Sequence, residues 1–529
     1  MAPDEPTKYR GSVNRRKFLK IAGAGSALTA SGLAGCTGGD GGDGGDGGDG
    51  GDGGDGGDGG GDTPTDTPMD GDGGDGGTDT GDMEPVELDV WLSYYTEGEN
   101  KKAYTDDLNS RMESDIGVRM NITGVPYVDA PQKFRAAQAS GNIPHLVEVM
   151  THPELMAGGG AQDITSLFEG SESENIVSEK VMDFHRTWGA QSTGEDGNLV
   201  TWPLGLRPFY PTWRTDWLDQ AGIDYEVVDA SAGAPSKDYY GDTGDPADDL
   251  QALYQALLET DLGQTDGNYP DTTGMKQSDE EYLAMYFPQF GGSLTGAVNK
   301  TGTAATINTP EAVAAIQMQV EFIEKGYFNP NALNIGDEES TTLQWGGRHA
   351  GNHIQDSTDL WADYLQEQPD AMENGEYRWD MPFNAKSKGG QVANLMWLPC
   401  LMFTGGGDWN EARTSAAVEL MDYWVAQPSN SLGNAQQLGW VPLDPAAIDE
   451  EDYFGQTDMH ERFWRGAGKR TLNEAVPGSI PAVPSAGAIT YDIPFRMHQR
   501  ILQQDVPIQE AADQAAADIN DLLAEAGRR

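Results

Sequence analysis

Cysteine and basic residues are both scarce in this chain. Its 529 residues include 2 Cys and 33 Lys plus Arg against 86 Asp plus Glu, which gives a formal net charge of −53. Two cysteines cannot build a disulfide framework. A chain this acidic repels phosphate backbones, so binding to nucleic acid is excluded. No run of about 18 apolar residues follows the N-terminal segment, so no transmembrane helix is predicted.

The first 35 residues have the organisation of an export signal. Arg15 and Arg16 precede a modestly apolar stretch at 21–35, and the segment resembles a twin-arginine signal, the export route for folded cargo. Residues 33–36 (LAGC) resemble a lipobox, in which the cysteine is lipidated and becomes the mature N-terminus. We therefore expect a protein held at the cell surface, outside the cytoplasmic membrane, by a lipid on Cys36.

Residues 36–82 start with Cys36 and continue with Gly and Asp plus some Thr and Pro, without a basic residue. Such a segment is predicted to stay disordered and to be extended by its like charges, so it forms a tether. The Gly-Gly-Asp repeats superficially resemble calcium-binding nonapeptide repeats, which need an apolar residue in each repeat. Residues 37–62 contain none, so no ordered metal site is predicted there, and cation binding by the tether is left open.

The folded part begins with alternating strand and helix patterns. Apolar and polar residues alternate at 86–92 and 118–122, and a largely apolar strand follows at 145–150. Helical spacing at 104–112 and a proline-led segment at 131–140 lie between these strands. The β-α-β-α-β order predicts a parallel sheet flanked by helices. The length of the folded part predicts two lobes.

Later helices are marked by N-caps, early prolines or apolar stripes. They are predicted at 245–258, at 309–325 with Gly326 as the stop, at 410–426, and after Pro507. Residues 225–245 and 261–280 are polar and rich in Gly and Pro, and are predicted to be surface loops.

Several weak motifs occur in a characteristic order. They are 133–147 (KFRAAQASGNIPHLV), 198–205 (NLVTWPLG), 213–223 (WRTDWLDQAGI), 346–350 (GGRHA) and 438–443 (LGWVPL). Their order resembles that of the extracellular solute-binding proteins of ABC importers, in the carbohydrate-binding group that includes maltose-binding protein.

The resemblance implies an α/β fold of the two-lobed periplasmic-binding-protein type (type II), with crossing hinge strands. Lobe one is expected at 84–204 plus 380–435, and lobe two at 208–378 plus 438–529. It also implies a monomer without cofactor or catalytic activity. Such a protein captures a sugar or oligosaccharide between its lobes and delivers it to ABC permease subunits.

Residues that follow the first and third strands are candidates for ligand contact. Ligands bind at the carboxyl ends of strands in open α/β sheets. Tyr95 and Glu97 follow the first strand, and Thr151 and His152 follow the third. Glu97 is expected to accept hydrogen bonds from two hydroxyl groups.

Further candidates come from the resemblance. A sugar site needs aromatic faces and fixed polar groups. Trp213 occupies the position of a motif tyrosine that stacks on ligand in the resembled proteins. Tyr210 and Asp356 are expected to face the cleft, and Trp397 and Trp440 lie next to crossing or cleft-edge segments.

Two other functions are compatible with these features. A surface sugar sensor or adhesin would use the same fold without transport. A secreted glycan-active enzyme is the third alternative, but the sequence has no HExxH, GxSxG or P-loop motif. Paired carboxylates carry little information in so acidic a chain, and no catalytic residue is predicted.

The excess of acid resembles that of proteins from extreme halophiles, so salt is expected to stabilise the fold. Lowering the salt lengthens the Debye screening distance from about 3 Å at 1 M to about 10 Å at 0.1 M, which strengthens repulsion between carboxylates. We predict a lower melting temperature at about 0.1 M KCl than at about 3 M. A melting temperature that is equal in both salts, followed by circular dichroism, would contradict this prediction.

Overall fold

The computed structural model describes most of the chain from residue 84 onward. The described residues are 84–96, 98–150, 152–209, 211–223, 246–272, 274–278, 283–352, 368, 370–371, 374–379, 393–444, 447 and 476–528. Within them, the strands are β1 Val86–Leu92, β2 Val118–Gly124, β3 Leu146–Glu148, β4 Thr201–Pro203, β5 Arg207–Pro208, β6 Thr212–Arg214, β7 Gly351–Asn352, β8 Tyr377–Trp379, β9 Ala393–Trp397, β10 Cys400–Phe403 and β11 Val476–Gly478.

Helices cover much of the remaining described chain. They are α1 Gly98–Ile116, α2 Ala130–Ser140, α3 Thr165–Phe168, α4 Glu179–Thr193, α5 Thr215–Ala221, α6 Pro246–Leu258, α7 Leu283–Gln289, α8 Pro310–Lys325, α9 Asp337–Trp345, α10 Glu411–Ala426, α11 Pro428–Leu438, α12 Ile493–Gln504 and α13 Ile508–Glu525. No helix in the described ranges is long and apolar enough to cross a membrane.

A five-stranded sheet holds the first part of the fold, in the order β2-β1-β3-β10-β4. β1 pairs in parallel with β2 and β3, which confirms the predicted β-α-β-α-β unit. β10 comes from much later in the chain and runs antiparallel to both β3 and β4. The alternation of β1 buries Leu88, Val90 and Leu92 completely on one face of the strand.

Two smaller sheets complete the fold. In one, β9 pairs in parallel with β11 and antiparallel with β5. In the other, β6 pairs antiparallel with β7 and β8. β9 and β10 are separated by two residues only, so the chain passes directly from one of these small sheets into the five-stranded sheet.

Local chemistry explains the ends of the predicted helices. The hydroxyl of Thr309 accepts a hydrogen bond from the backbone of Ala312 at 3.4 Å, and α8 ends where Gly326 adopts φ 76°. The helices predicted at 245–258, 410–426 and after Pro507 are confirmed as α6, α10 and α13. The loop predicted at 225–245 lies outside the described residues.

Candidate functional site

A cavity of about 930 Å³ is the main candidate for a binding site in the described part of the chain. Its lining comes from two separate parts of the structure. One part follows β2 and β3, and the other belongs to the segments around 276–278, 333–334 and 480–495, with the end of β9 beside them. The lining residues are Tyr127, His152, Glu154, Lys276, Gln277, Ser278, Leu333, Asn334, Trp397, Ile480, Gly487, Tyr491, Asp492 and Phe495.

Tyr127 and His152 form an aromatic pair on the first part of the lining. Their rings stack at a centroid distance of 6.3 Å and an angle of 21°. His152 Nε2 lies 2.6 Å from the carbonyl oxygen of Tyr127, and a carbonyl only accepts, so Nε2 carries a proton. His152 Nδ1 lies 3.2 Å from Glu154 Oε1. The ring of His152 therefore lies between two oxygen acceptors, while Tyr127 remains 50% exposed.

Tyr491 and Asp492 contribute to the second part of the lining from an unusual backbone. They end a π-helical turn at Ala488–Asp492 that leads directly into α12. Such turns are rare and often occur at functional sites, because the extra residue redirects side chains. Gln277 Nε2 donates a hydrogen bond of 2.6 Å to Asp492 Oδ1, which orients the carboxylate.

An ion pair joins this lining to the neighbouring helix. Lys276 Nζ donates to Glu339 Oε1 at 2.7 Å, and Glu339 Oε2 accepts from the backbone of Gly336 at 3.1 Å. Partial burial is the largest single influence and opposes ionisation of Glu339. The hydrogen bonds from Lys276 and from the backbone of Glu339 and Gly336, together with the charge of Lys276, outweigh it, so the pKa of this carboxyl is lowered. Glu339 is therefore ionised at neutral pH and holds Lys276 at the edge of the cavity.

Two of the predicted site residues, His152 and Trp397, lie in the lining of this cavity. Trp397 ends β9 and is paired with Arg207 of the crossing strand β5. Its ring lies 6.4 Å from the ring of Phe209 and is 7% exposed. Trp397 therefore links the cavity to the backbone that crosses between the sheets.

Three other predicted residues are core residues in this structure. Tyr95 and Trp440 are fully buried and meet edge to face at 4.9 Å. Trp213 on β6 is fully buried against Tyr254, with ring centroids 5.9 Å apart. The structure does not bring these three rings to the cavity, because each is enclosed by other aromatic groups. Their contact with ligand stays a prediction that this conformation does not support.

The remaining predicted residues lie outside the described residues. They are Glu97, Thr151, Tyr210 and Asp356 of the expected cleft, and Arg15, Arg16 and Cys36 of the N-terminal segment. Their roles stay predictions.

Tyr94, next to the predicted Tyr95, follows β1 and contacts two cationic side chains. Lys101 Nζ lies 3.3 Å and Arg207 Cζ 4.9 Å from its ring centroid, and its ring stacks on Trp440 at 5.6 Å. Glu148 accepts hydrogen bonds from the backbone nitrogens of Ser93 and Tyr94, at 2.8 and 3.1 Å. Polar and charged groups thus converge where β1 and β3 end, although Tyr94 and Glu148 were not among the predicted residues.

Several lining residues were missed by sequence reasoning. Tyr127 follows β2 just as Tyr95 follows β1, so the strand-end argument applied to β2 would have found it. Tyr491, Asp492 and Phe495 depend on a π-helical turn, for which the sequence carries no recognised signal. No group of three or more His, Cys, Asp or Glu side chains is arranged to hold a metal among the residues that the structure describes.

Solved structures with the same fold bind solutes. The cyclic alpha-maltosyl-1,6-maltose binding protein from Arthrobacter globiformis is 17% identical, with a TM-score of 0.62 over 83% of this chain and 100% of its own. An ABC substrate-binding protein from Listeria monocytogenes, in complex with cycloalternan, is 16% identical, with a TM-score of 0.58 over 83% and 99%. The sugar-binding protein MalE from Xanthomonas citri is 11% identical, with a TM-score of 0.62 over 83% and 98%.

These likenesses define the class of the fold, which is the two-lobed periplasmic-binding-protein type with mixed α/β lobes. The sequence profile of the bacterial extracellular solute-binding proteins matches residues 103–459. The chain belongs to this family. No protein with a curated description matches the sequence significantly.

Proposed function

We propose that this solute-binding protein captures a neutral sugar or oligosaccharide in the cavity lined by Tyr127, His152, Trp397 and Tyr491. The observation that carries the proposal is the mixture of groups in that lining. Aromatic rings supply faces for the apolar side of a pyranose, and the polar groups between them supply hydrogen bonds for its hydroxyls.

The lining contains both donors and acceptors for hydrogen bonds with sugar hydroxyls. Glu154 and Asp492 are acceptors for hydroxyl protons, whereas Gln277 and Asn334 carry amide groups that both donate and accept. The volume of about 930 Å³ is at the upper end of the usual range for small-molecule sites. It therefore suits a ligand of more than one sugar unit.

The proposed transport cycle uses closure of the two lobes. We assign lobe one to 84–204 plus 380–435, and lobe two to 208–378 plus 438–529. Ligand that contacts both parts of the lining favours the closed arrangement over the open one by its differential affinity. The closed form then delivers the sugar to an ABC permease in the same membrane.

Surface attachment completes the proposal. Export through the signal with Arg15 and Arg16, followed by lipidation of Cys36, keeps the receptor at the membrane that holds the permease. Stable anchoring requires about two membrane signals, which a diacyl-type modification supplies. Mutation of Cys36 to Ala is the direct way to release the protein into the medium.

Calorimetric titration with a panel of neutral mono- and oligosaccharides in high salt tests sugar binding. We expect heat of binding with at least one sugar, together with a change in tryptophan fluorescence, because Trp397 lies in the cavity. The variant Trp397→Phe is the matched control: heat is expected to persist while much of the fluorescence change is lost. A panel that gives neither heat nor fluorescence change would overturn the proposed ligand class.

A further inference from the structure

A second cavity of about 690 Å³ lies next to the first. Its lining residues are Asp266, Gly267, Tyr269, Asn329, Asn331, Asn334, Ile335, Glu338, Glu339, Thr342 and Leu343. Asn334 belongs to the lining of both cavities. The ion pair of Lys276, in the first lining, with Glu339, in the second, spans the same boundary. The two cavities are therefore neighbours along one continuous surface.

Three asparagines in this second lining are held in a chain of hydrogen bonds. Asn334 Nδ2 donates to Asn331 Oδ1 at 2.7 Å, and the backbone nitrogen of Asn331 donates to Asn329 Oδ1 at 2.9 Å. Asn329 Nδ2 in turn donates to Nε2 of the fully buried His349 at 3.1 Å. The amide groups are thus oriented from the core outward, and a ligand meets groups whose positions are already fixed.

Tyr269 adds an aromatic surface to the same lining. Its ring is partly exposed and packs edge to face on His349 at 6.3 Å. Its backbone nitrogen donates to the carbonyl of Arg348 at 2.9 Å, which ties the residue to the segment just before β7. Burial and the nearby Asp266 carboxylate raise the pKa of Tyr269, so its hydroxyl stays protonated and can donate a hydrogen bond.

The charges of the second cavity select against acidic ligands. Asp266 and Glu338 lie in its lining, and Lys276 at its edge is engaged by Glu339. An anionic sugar would meet like charge there, whereas a neutral sugar offers hydroxyl donors to the carboxylates. A ring face together with fixed amides and carboxylates matches the needs of a pyranose.

We propose that this second cavity binds the distal units of a neutral oligosaccharide whose other end occupies the first cavity. The inference rests on the proposed function and makes it more specific: the ligand is a chain long enough to pass over Asn334 and reach Tyr269. A monosaccharide or disaccharide uses the first cavity alone. Affinity therefore increases with chain length until the second cavity is filled.

The test compares affinities along one homologous series, from the disaccharide to the heptasaccharide of the sugar that binds. In the unmodified protein, the long members are expected to bind about tenfold more tightly than the disaccharide, the gain from one stacked aromatic ring. In Tyr269→Ala, that gain is expected to disappear while the affinity for the disaccharide is unchanged. Tyr269→Phe keeps the ring and is expected to retain most of the gain.

A second variant tests the same cavity independently, in case the first variant does not fold. Glu338→Ala removes one carboxylate from the second cavity and is expected to reduce affinity for long members only. Long-chain affinity that is unchanged in both variants would overturn the second cavity as a sugar site, and so would equal losses for short and long members. A protein that binds no sugar at all would instead overturn the proposed function, so the two failures are distinguishable.

Discussion

Replacing Tyr491 by Ala is expected to weaken sugar binding about 10- to 100-fold. Covering one large side chain is worth about 1.5–3 kcal/mol, and each 1.4 kcal/mol is a factor of about ten in affinity. Tyr491 lies in the cavity lining at the end of the π-helical turn, and it is only partly buried in the free protein. Tyr491 is therefore partly exposed in the cavity lining, and calorimetric titration measures the loss of affinity.

The matched control is Tyr491→Phe, which retains the ring and removes only the hydroxyl. We expect it to keep most of the affinity, whereas Tyr491→Ala loses it with little change in melting temperature. If Tyr491→Ala binds the sugar as tightly as the unmodified protein, the ring of Tyr491 does not contact ligand. If both variants lose affinity equally, the hydroxyl rather than the ring face makes the contact.

Acid is expected to destabilise the protein well before most carboxylates are protonated. His349 and His185 are both fully buried. Burial lowers the pKa of His349 to about 4, opposed by Asp271 and assisted by Arg348. Burial alone lowers the pKa of His185 to about 3, and its Nδ1 lies 2.8 Å from Thr201 Oγ1. An unfolded chain protonates histidine near pH 6.5.

The sign of the effect follows from where the proton binds. Below about pH 6.5 His349 and His185 bind protons in the unfolded state but not in the native state, so acid favours unfolding. The stability from these residues is fully present above pH 6.5 and is lost as the pH falls toward 4 and 3. Each pKa unit is worth about 1.4 kcal/mol, so between pH 6.5 and 5 each histidine costs about 2 kcal/mol. The combined loss of about 4 kcal/mol from the two histidines is large compared with the usual free energy of unfolding, about 5–15 kcal/mol.

Denaturant titration at constant high salt, at pH 8, 7, 6 and 5, measures this loss. The variants His349→Asn and His185→Gln keep polar side chains that do not titrate. Their free energy of unfolding is expected to fall less steeply with decreasing pH than that of the unmodified protein. The difference in free energy of unfolding at pH 8 gives the destabilisation caused by the substitution itself. Equal slopes in the variants and the unmodified protein would show that these histidines do not control acid stability.

The first half of the five-stranded sheet could be predicted from the sequence because its signals are local. Alternation of buried and exposed residues over 86–92 is a property of neighbouring residues, and it appears directly in β1. Caps such as Thr309 and stops such as Gly326 are equally local, and they bound α8 where expected. The antiparallel insertion of β10 depends on pairing between residues about half the chain apart, and no local pattern carries that information.

The candidate site was harder to predict because neighbouring residues in sequence diverge in space. Tyr95 faces Trp424 in the core at 4.9 Å, while the adjacent Tyr94 receives the cationic side chains of Lys101 and Arg207. Both rings pack on Trp440, stacked for Tyr94 and edge to face for Tyr95, so a single step along the backbone changes the contacts of the side chain. Of the predicted residues, His152 and Trp397 reach the described cavity. Motif position alone did not separate the core residues Trp213 and Trp440 from Trp397, which lines the cavity.

The antiparallel strand β10 also sets an order of events during synthesis. β4 joins the five-stranded sheet only through β10, so this sheet stays incomplete until residue 403 has been made. Chains emerge from the ribosome at about 5–20 residues per second, and during that interval β3 and β4 keep unpaired edges. Open strand edges invite pairing with other chains. A nascent chain halted before β10 therefore carries open strand edges that favour aggregation.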